Sequence, residues 1–348
     1  MLLESVSALL SAAKITVFLP EEGPLCARLR ERGAEVRLLP TLVLRRSLLS
    51  PRGLFELIAQ VIRTLPGTVS LLRRIRPAAL YVNTVTLPLW LVAGRLTGVR
   101  VICHVHEAEE GIPPLLRRLL ILPVRLAHRV IANSGTCRRT LLEGGVRPGR
   151  ISVVHNGVPG PDAATPGRAA PAGRLLLTGR LSPRKGSDVA IRAVHELRNR
   201  GRDVSLTLVG AVFPGYEWFE EELRALAGED GAITFAGFQD EVWPRFAEAD
   251  IVLVPSLGES FGNVAVEGML AGRPVIASSV QGLAEIMSEE GVGTLVRPSD
   301  PAALAEAVEA LLDDWPRALE MAERGRVSAQ KRFGLDRYRQ EICQAVFR

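Results

Sequence analysis

The chain has 348 residues, of which 47% are hydrophobic and 23% charged, and this length and composition predict two domains with full hydrophobic cores. Its formal charge of +5 favours anionic partners such as nucleotides or phospholipid surfaces, without selecting among them. Aromatic residues make up only 5%, and no basic tract is interleaved with them, so a surface that stacks nucleic-acid bases is disfavoured.

Cysteine spacing and apolar runs give expectations about location. The four cysteines form neither a C-x-x-C pair nor a zinc-binding pattern, which is typical of reduced thiols in a cytosolic protein. The apolar segment 1–13 carries Glu4 and lacks a basic start, unlike a signal peptide. Residues 78–94 are uncharged, but the run is short for a membrane span and holds Pro88, so it predicts a buried strand followed by a helix. No transmembrane helix is predicted.

The first half of the chain alternates short β-branched runs with longer amphipathic ones, which predicts parallel strands joined by helices. Helices are predicted at 24–32 and 89–97. Residues 157–173 are rich in Pro, Gly and Ala, which indicates an interdomain linker. Strands are predicted at 15–19, 35–39, 79–83, 100–104 and 129–133.

The alternation restarts after the linker, which predicts a second domain of the same α/β class. We expect domains at 1–160 and 161–332, and a C-terminal helix within 333–348 that packs back on the first domain. Strands are predicted at 174–178, 205–209, 233–236, 251–255, 274–277 and 294–296. Helices are predicted at 187–200, 218–227, 264–271, 301–312 and 316–332.

Two carboxylates flank the carboxyl end of the predicted strand 251–255. Glu259 falls in the loop after that strand, and Glu267 falls about one turn into the next helix. Ligands of open α/β sheets bind in this crevice, where carboxylates can accept hydrogen bonds from sugar or ribose hydroxyls. Gly262 allows close approach of the backbone, and the free amides of the helix N-terminus suit a phosphate. Taken alone, Glu267 is more typical of a solvated helix face. Its spacing from Glu259 is what favours a ligand site.

A basic loop with the sequence G-R-L-S-P-R-K-G directly follows the predicted strand 174–178. It places Arg180 and Lys185 at the strand's carboxyl end, where Arg can clamp two phosphate oxygens and Lys can act as a point charge. The alternative is a solvated basic loop before a helix. Position after the first strand of a new α/β half leaves the two interpretations evenly balanced.

The two motifs together are more specific than either alone. A strand–G-R-L-x-x-x-K-G–helix, followed by a strand–E-x-F-G-x-x-x-x-E–helix, resembles the donor site of retaining glycosyltransferases of the GT-B fold, family 4 or "glycosyl transferases group 1". The resemblance covers nearly the whole chain and extends to N-G-V at 156–158 and G-L-A-E-I at 282–286. It implies two Rossmann-like domains facing across a cleft, with the acceptor bound by the first and the donor by the second.

The resemblance also implies roles for individual residues. Arg180 and Lys185 would hold the donor diphosphate and stabilise the leaving phosphate. Glu259 would contact hydroxyls of the transferred sugar, and Glu267 would bind the ribose. Backbone amides in the loop would contact the sugar and the phosphates, namely those around Phe261, Gly262 and Asn263.

In the first half, the family places a histidine beside the reacting sugar, and His106 at a strand end is the best match. A lone histidine is more often structural, and His104 fits the core better. The family's first loop commonly has a Gly-Gly pair, whereas this chain has Gly23 alone, whose backbone could still approach the donor phosphates. A second departure is Gln281, where a glycine often precedes Gly282.

The chemistry implied by the resemblance is a metal-independent hexosyl transfer with retention. No D-x-D motif is present, so neither metal nor cofactor is expected, and the nucleotide sugar is a substrate. Arg180, Lys185 and a helix dipole would meet the leaving-group charge. The acceptor hydroxyl would attack the face from which the diphosphate departs, while Glu259 and His106 orient the reactants without forming a covalent bond.

Partners and alternatives complete the sequence-based expectations. Two basic amphipathic stretches, 44–74 and 113–123, are as consistent with anionic-lipid docking as with ordinary helices. We expect a nucleotide-sugar donor, a sugar, lipid-linked or small-molecule acceptor, and no nucleic acid. The location would be cytoplasmic, with peripheral contact at the inner face of the plasma membrane as an option. The alternatives are another nucleotide-sugar enzyme of this fold, such as an epimerase or a phosphorylase, or a catalytically silent nucleotide-sugar or lipid-binding module.

Overall fold

The computed structural model describes residues 1–44, 51–107, 113–161, 167 and 169–348, excluding the side chains of 51–54, 56, 58 and 114. The chain divides into two units. Unit 1 comprises Met1–Gly157 and Leu335–Arg348, and unit 2 comprises Val158–Gly334. The predicted linker therefore falls largely at the start of unit 2, and residues 162–166 and 168 of it lie outside the described residues.

Unit 1 contains parallel strands in two sheets, with orders β1-β2 and β3-β4-β5-β6. The five predicted strands are present, and the short β6 is an addition that the sequence pattern did not predict. The strands are β1 (Thr16–Leu19), β2 (Glu35–Leu38), β3 (Ala79–Val82), β4 (Arg100–Val105), β5 (Arg129–Ala132) and β6 (Ile151–Val153). The helices are α1 (Leu2–Leu9), α2 (Pro24–Glu31), α3 (Pro51–Ile75), α4 (Pro88–Leu96), α5 (Pro114–Ile121) and α6 (Gly135–Glu143).

Strand β4 lies at the centre of this core. Its residues from Val101 to Val105 are all buried, as expected for a parallel strand covered on both faces. The uncharged run 78–94 forms β3 and then α4, as predicted, and α4 begins at Pro88, whose missing N–H costs nothing in the first turn. Among the described residues, no helix is both long enough and apolar enough to cross a bilayer.

Unit 2 is a parallel six-stranded sheet with the order β9-β8-β7-β10-β11-β12. This is the doubly wound order of a Rossmann fold, in which the chain reverses direction across the sheet between β7 and β10. The strands are β7 (Arg174–Thr178), β8 (Ser205–Val209), β9 (Ile233–Gly237), β10 (Ile251–Val254), β11 (Val275–Ser278) and β12 (Thr294–Val296). The helices are α7 (Ser187–Asn199), α8 (Glu217–Ala227), α9 (Trp243–Glu248), α10 (Asn263–Leu270), α11 (Gln281–Ile286), α12 (Pro301–Asp313) and α13 (Trp315–Phe333).

The last helix, α14 (Leu335–Phe347), belongs to unit 1 and packs against α1. The hydroxyl of its fully buried Tyr338 lies 2.6 Å from Ser5 Oγ, and Arg339 donates to Glu4 at 2.9 Å. The aromatic ring also packs so closely on the backbone of Gly157 that a β-carbon there would lie 2.4 Å from Tyr338 Cβ. The first and last helices, α1 and α14, therefore pack together in unit 1.

Candidate functional site

Two loops meet at the point in unit 2 where the strand order reverses. Residues 179–186 follow β7, and residues 255–262 follow β10, its direct neighbour in the sheet. Because both strands are parallel, both loops emerge at the same carboxyl edge, where doubly wound sheets bind ligands. The two motifs singled out from the sequence therefore lie side by side in space.

An ion pair joins the two loops. Lys185 Nζ donates to Glu259 Oε1 at 2.5 Å, and Ser256 Oγ donates to the same oxygen at 3.0 Å. The side chains of Lys185 and Glu259 are only 18% and 10% exposed, so little water screens this contact. The second carboxylate oxygen, Oε2, lies 3.7 Å from Arg184 Nη1, beyond hydrogen-bond distance. Among the described residues, Oε2 has no hydrogen-bond donor from the protein.

Backbone contacts reinforce the ion pair. Leu257 N–H donates to the Arg184 carbonyl at 2.8 Å, and Arg184 Nη1 donates to the Gly258 carbonyl at 2.5 Å. Gly186 follows the basic turn with φ +68°, and a β-carbon there would lie 2.1 Å from the Pro255 carbonyl oxygen. Only glycine fits this close approach, which explains the residue after the lysine in the motif.

Arg180 occupies a different side of the same loop. Its guanidinium carbon lies 3.3 Å from the ring centroid of Phe213, a cation–π contact with an aromatic residue that follows β8. Burial lowers the pKa of the Arg180 guanidinium, and the positive charge of Arg184 lowers it further. Arg180 is thus positioned by the ring of Phe213, whereas Lys185 contacts the carboxylate of Glu259.

The second carboxylate of the motif projects from α10. Gly262 precedes the helix with φ +119°, Asn263 begins it, and Glu267 lies one turn further along. Burial raises the pKa of the Glu267 carboxyl, and the charge of Lys185 opposes this change. The side chain of Phe261 is buried and packs edge-on against Phe333, so only its backbone can face a ligand.

In unit 1, His106 follows the carboxyl end of β4. Its Nε2 lies 3.1 Å from Asn83 Oδ1, and its N–H donates to Glu107 Oε2 at 3.1 Å. Burial is the main cause that lowers the pKa of His106 to about 4, with a smaller contribution from the amino terminus. The imidazole is therefore neutral near pH 7 and can accept or donate a hydrogen bond without carrying charge.

A buried polar chain lies behind His106. The His104 ring lies 4.0 Å from the His106 ring, and its Nδ1 is hydrogen-bonded to the Tyr81 hydroxyl. Tyr81 donates to Ser5 Oγ at 3.3 Å, and Ser5 contacts Tyr338 of α14. His104 is 0% exposed, which confirms its predicted place in the core.

Gly23 lies at the junction of the first loop and α2, as the sequence indicated. Its backbone is extended, with φ −177°, and no atom lies within 4 Å of the position a β-carbon would take. None of the described residues therefore demands glycine there. The preceding Glu22 forms a two-pronged ion pair with Arg30 at 2.6 and 3.0 Å.

Comparison with known families agrees with this arrangement. A sequence model of the family described as "Glycosyltransferase Family 4" matches residues 6–159, and one described as "Glycosyl transferases group 1" matches residues 172–314. Between them, the two models span most of both units. The chain belongs to glycosyltransferase family 4. The predicted family is thereby confirmed.

Individual relatives of this family 4 chain match it over about two thirds of its length. It is 36% identical over 253 residues to a D-inositol 3-phosphate glycosyltransferase of Acidothermus cellulolyticus, an alignment covering 66% of this chain and 55% of that protein. A second D-inositol 3-phosphate glycosyltransferase, from Catenulispora acidiphila, is 36% identical over 61% of this chain and 54% of its own length. The matched region thus spans about half the length of these relatives.

Solved structures confirm the GT-B fold. Anabaena HepE, solved in complex with UDP and glucose, superposes with a TM-score of 0.82 and 22% identity, covering 99% of this chain and 94% of that one. Sucrose-phosphate synthase of Thermosynechococcus elongatus gives a TM-score of 0.74 at 21% identity, covering 98% and 90%. At such identities the likeness concerns the fold.

Within this family 4 chain, the structure gathers part of the predicted site and adds to it. Lys185 and Glu259 are in direct contact, and Glu267 lies within the electrostatic influence of Lys185. Gly23 and His106 belong to unit 1, whereas Lys185, Glu259 and Glu267 belong to unit 2. The sequence patterns assigned no role to the residues that hold the cluster together, which are Arg184, Ser256 and Gln281. Gln281 was noted only as a departure from glycine.

The lowered pKa of His106 generates a test of stability against pH. A histidine whose folded-state pKa falls from 6.5 to about 4 disfavours protonation of the folded state, so the unfolded state binds more protons between these values. We expect the free energy of unfolding to fall as pH is lowered from 6.5 towards 4, and His106→Gln to remove about 1–3 kcal/mol of that loss. Urea titrations at several pH values measure it. A variant with the parent's full pH slope would contradict the assignment.

Proposed function

We propose that the chain is a retaining glycosyltransferase, which moves a hexosyl group from a nucleoside-diphosphate sugar to an acceptor hydroxyl. The observation that carries the proposal is the Lys185–Glu259 pair at the strand-order reversal of unit 2, with Glu267 behind it. A cation and two acids at one sheet edge match the two chemical ends of a nucleotide sugar, its phosphates and its hydroxyls.

Lys185 and Arg180 would hold the diphosphate. An ammonium has three N–H donors, and Lys185 uses one on Glu259, so it can bind phosphate oxygens without leaving the carboxylate. Arg180 adds a planar fork that suits two phosphate oxygens. No group of three or more His, Cys, Asp or Glu side chains within the described residues could hold a metal ion. The proposal assigns the leaving-group charge to these two cations.

The two acids would read the hydroxyls. Glu259 Oε1 is occupied by Lys185 and Ser256, whereas Oε2 lies outside hydrogen-bond distance of Arg184. Oε2 is therefore the oxygen that accepts from the transferred sugar. Glu267 would accept from the ribose, and the amides of Gly262 and Asn263 at the start of α10 would contact the phosphates.

The transfer itself would proceed on one face of the sugar. The bond from the anomeric carbon to the diphosphate oxygen breaks, a bond to the acceptor oxygen forms, and the acceptor proton passes to the departing diphosphate. His106, neutral at pH 7 because of its burial, would hydrogen-bond the reacting sugar without competing for that proton. Gly23 would approach the phosphates through its backbone, which has open space around it.

Nucleotide binding tests the donor assignment. In a thermal-shift panel of UDP-, GDP- and ADP-glucose, we expect one base class to raise the melting temperature, because a ligand that binds the native state stabilises it. Lys185→Met should weaken binding of that donor by about 10- to 100-fold, since it removes charge-assisted hydrogen bonds to phosphate. Lys331→Met, on the exposed face of α13, is the matched control. If Lys185→Met binds as tightly as the parent, the phosphate role is wrong; turnover of the donor separates the transferase from a silent binding module.

The acceptor side carries a second proposal, contact with an anionic bilayer. A groove of about 700 Å³ lies beside the amino-terminal ends of β4, β5 and β6, at the sheet edge opposite His106. Within the described part of the chain, none of its arginines lies within ion-pair distance of a carboxylate. The groove is lined by Val92, Arg95, Leu122, Pro123, Arg125, Leu126, Gly145, Arg147 and Arg150.

Leucines beside the groove support the same partner. Leu115, Leu119 and Leu122 of the predicted stretch 113–123 are 71%, 56% and 50% exposed. Exposed apolar side chains together with the arginines that line the groove match the two layers of a bilayer interface, its acyl boundary and its anionic headgroups. Of the other predicted stretch, 44–74, residues 45–50 lie outside the described residues. A lipid-linked acceptor and a cytoplasmic location remain predictions from the sequence.

Vesicle sedimentation tests this contact. We expect binding to phosphatidylglycerol vesicles at low salt, loss of that binding at high salt, and no binding to phosphatidylcholine. Arg125→Glu combined with Arg147→Glu should abolish sedimentation, whereas the exposed Arg192→Glu of α7 should leave most of it. Absence of binding to anionic vesicles at low salt would remove the proposal.

A further inference from the structure

Gln281 has an unusual backbone conformation for its residue type. It begins α11 with φ +31°, in the left-handed region that favours glycine. It also occupies the position at which the family often has glycine. A glutamine here is strained by its β-carbon. We therefore expect its side chain to make a contact that offsets the strain and that glycine cannot make.

The side chain of Gln281 binds the backbone of the acid loop. Its Oε1 accepts from the Glu259 N–H at 2.8 Å, and the N–H of the next residue, Gly282, donates to the Glu259 carbonyl at 3.0 Å. This approach requires glycine at 282, since a β-carbon there would lie 2.4 Å from the Phe261 carbonyl oxygen. Both backbone polar groups of Glu259 are thus held by two consecutive residues of α11.

We propose that Gln281 is a positioning residue for Glu259. The clamp fixes the backbone from the α11 side, while Lys185 and Ser256 hold carboxylate Oε1 from the other. With both ends held, Oε2 points in one direction before any ligand binds. With glycine at 281 the backbone strain is relieved, but the Glu259 N–H loses its acceptor. The proposal rests on the proposed role of Glu259 as the ligand of the transferred sugar.

A first experiment examines the clamp without ligand. Gln281→Met keeps the side-chain length but removes the acceptor, and Gln281→Glu keeps an acceptor oxygen. Amide hydrogen exchange of a peptide covering 257–262 should be about tenfold faster in Gln281→Met and near the parent's rate in Gln281→Glu. Ser299→Gly, which relieves a φ of +58° elsewhere in unit 2, is the control and should leave the loop unchanged. Parent-like exchange in Gln281→Met would overturn the clamp.

A second experiment examines its consequence for the sugar. Calorimetry with UDP and with UDP-glucose should show UDP-glucose affinity reduced about tenfold in Gln281→Met and UDP affinity unchanged, because the clamp acts on the sugar ligand alone. Equal weakening of both probes would mean a general structural role and would overturn the proposal. If the parent binds neither UDP nor UDP-glucose, a UDP-sugar is not the donor. The exchange experiment, which uses no ligand, still decides whether Gln281 holds Glu259.

Discussion

The ion pair between Lys185 and Glu259 is the interaction on which the site depends. It joins the loops that follow two adjacent strands, β7 and β10, at the point where the sheet reverses its order. Both side chains are mostly shielded from water, so removing one partner would leave the other charge poorly compensated, at a cost of about 3–5 kcal/mol for a fully buried pair. The pair therefore keeps a cation and an acid in direct contact at the sheet edge without a ligand.

The surroundings of the pair are built to hold it still. Arg184 ties the two loops through its carbonyl and its guanidinium, and Gln281 clamps the backbone of Glu259. In unit 1, a chain of hydrogen bonds from His104 through Tyr81 to Ser5 fixes the ring that packs against His106. Burial keeps both imidazoles neutral. Prearranged donors and acceptors of this kind need not reorganise during a reaction, which is the main electrostatic advantage of an enzyme over water.

Much of this could be predicted from the sequence, because the signals were local. Short β-branched runs predicted the strands of both units except β6, and a motif after each of β7 and β10 marked the loops that the topology then brings together. Several short elements were missed, because few residues carry little periodic signal; these are β6, α9 and α11. The cation–π contact of Arg180 with Phe213 and the clamp by Gln281 were missed for a different reason. Each joins residues far apart in sequence, and although Gln281 was noted as a departure from glycine, the sequence does not identify the partner of either side chain.

The most direct measurement is a crystal structure of the protein with the nucleoside diphosphate that stabilises it most. The account predicts a phosphate oxygen within about 2.7–3.2 Å of Lys185 Nζ, Lys185 still in contact with Glu259, and the ribose hydroxyls on Glu267. A diphosphate bound away from the loops after β7 and β10, or a ribose without a contact to Glu267, would contradict it.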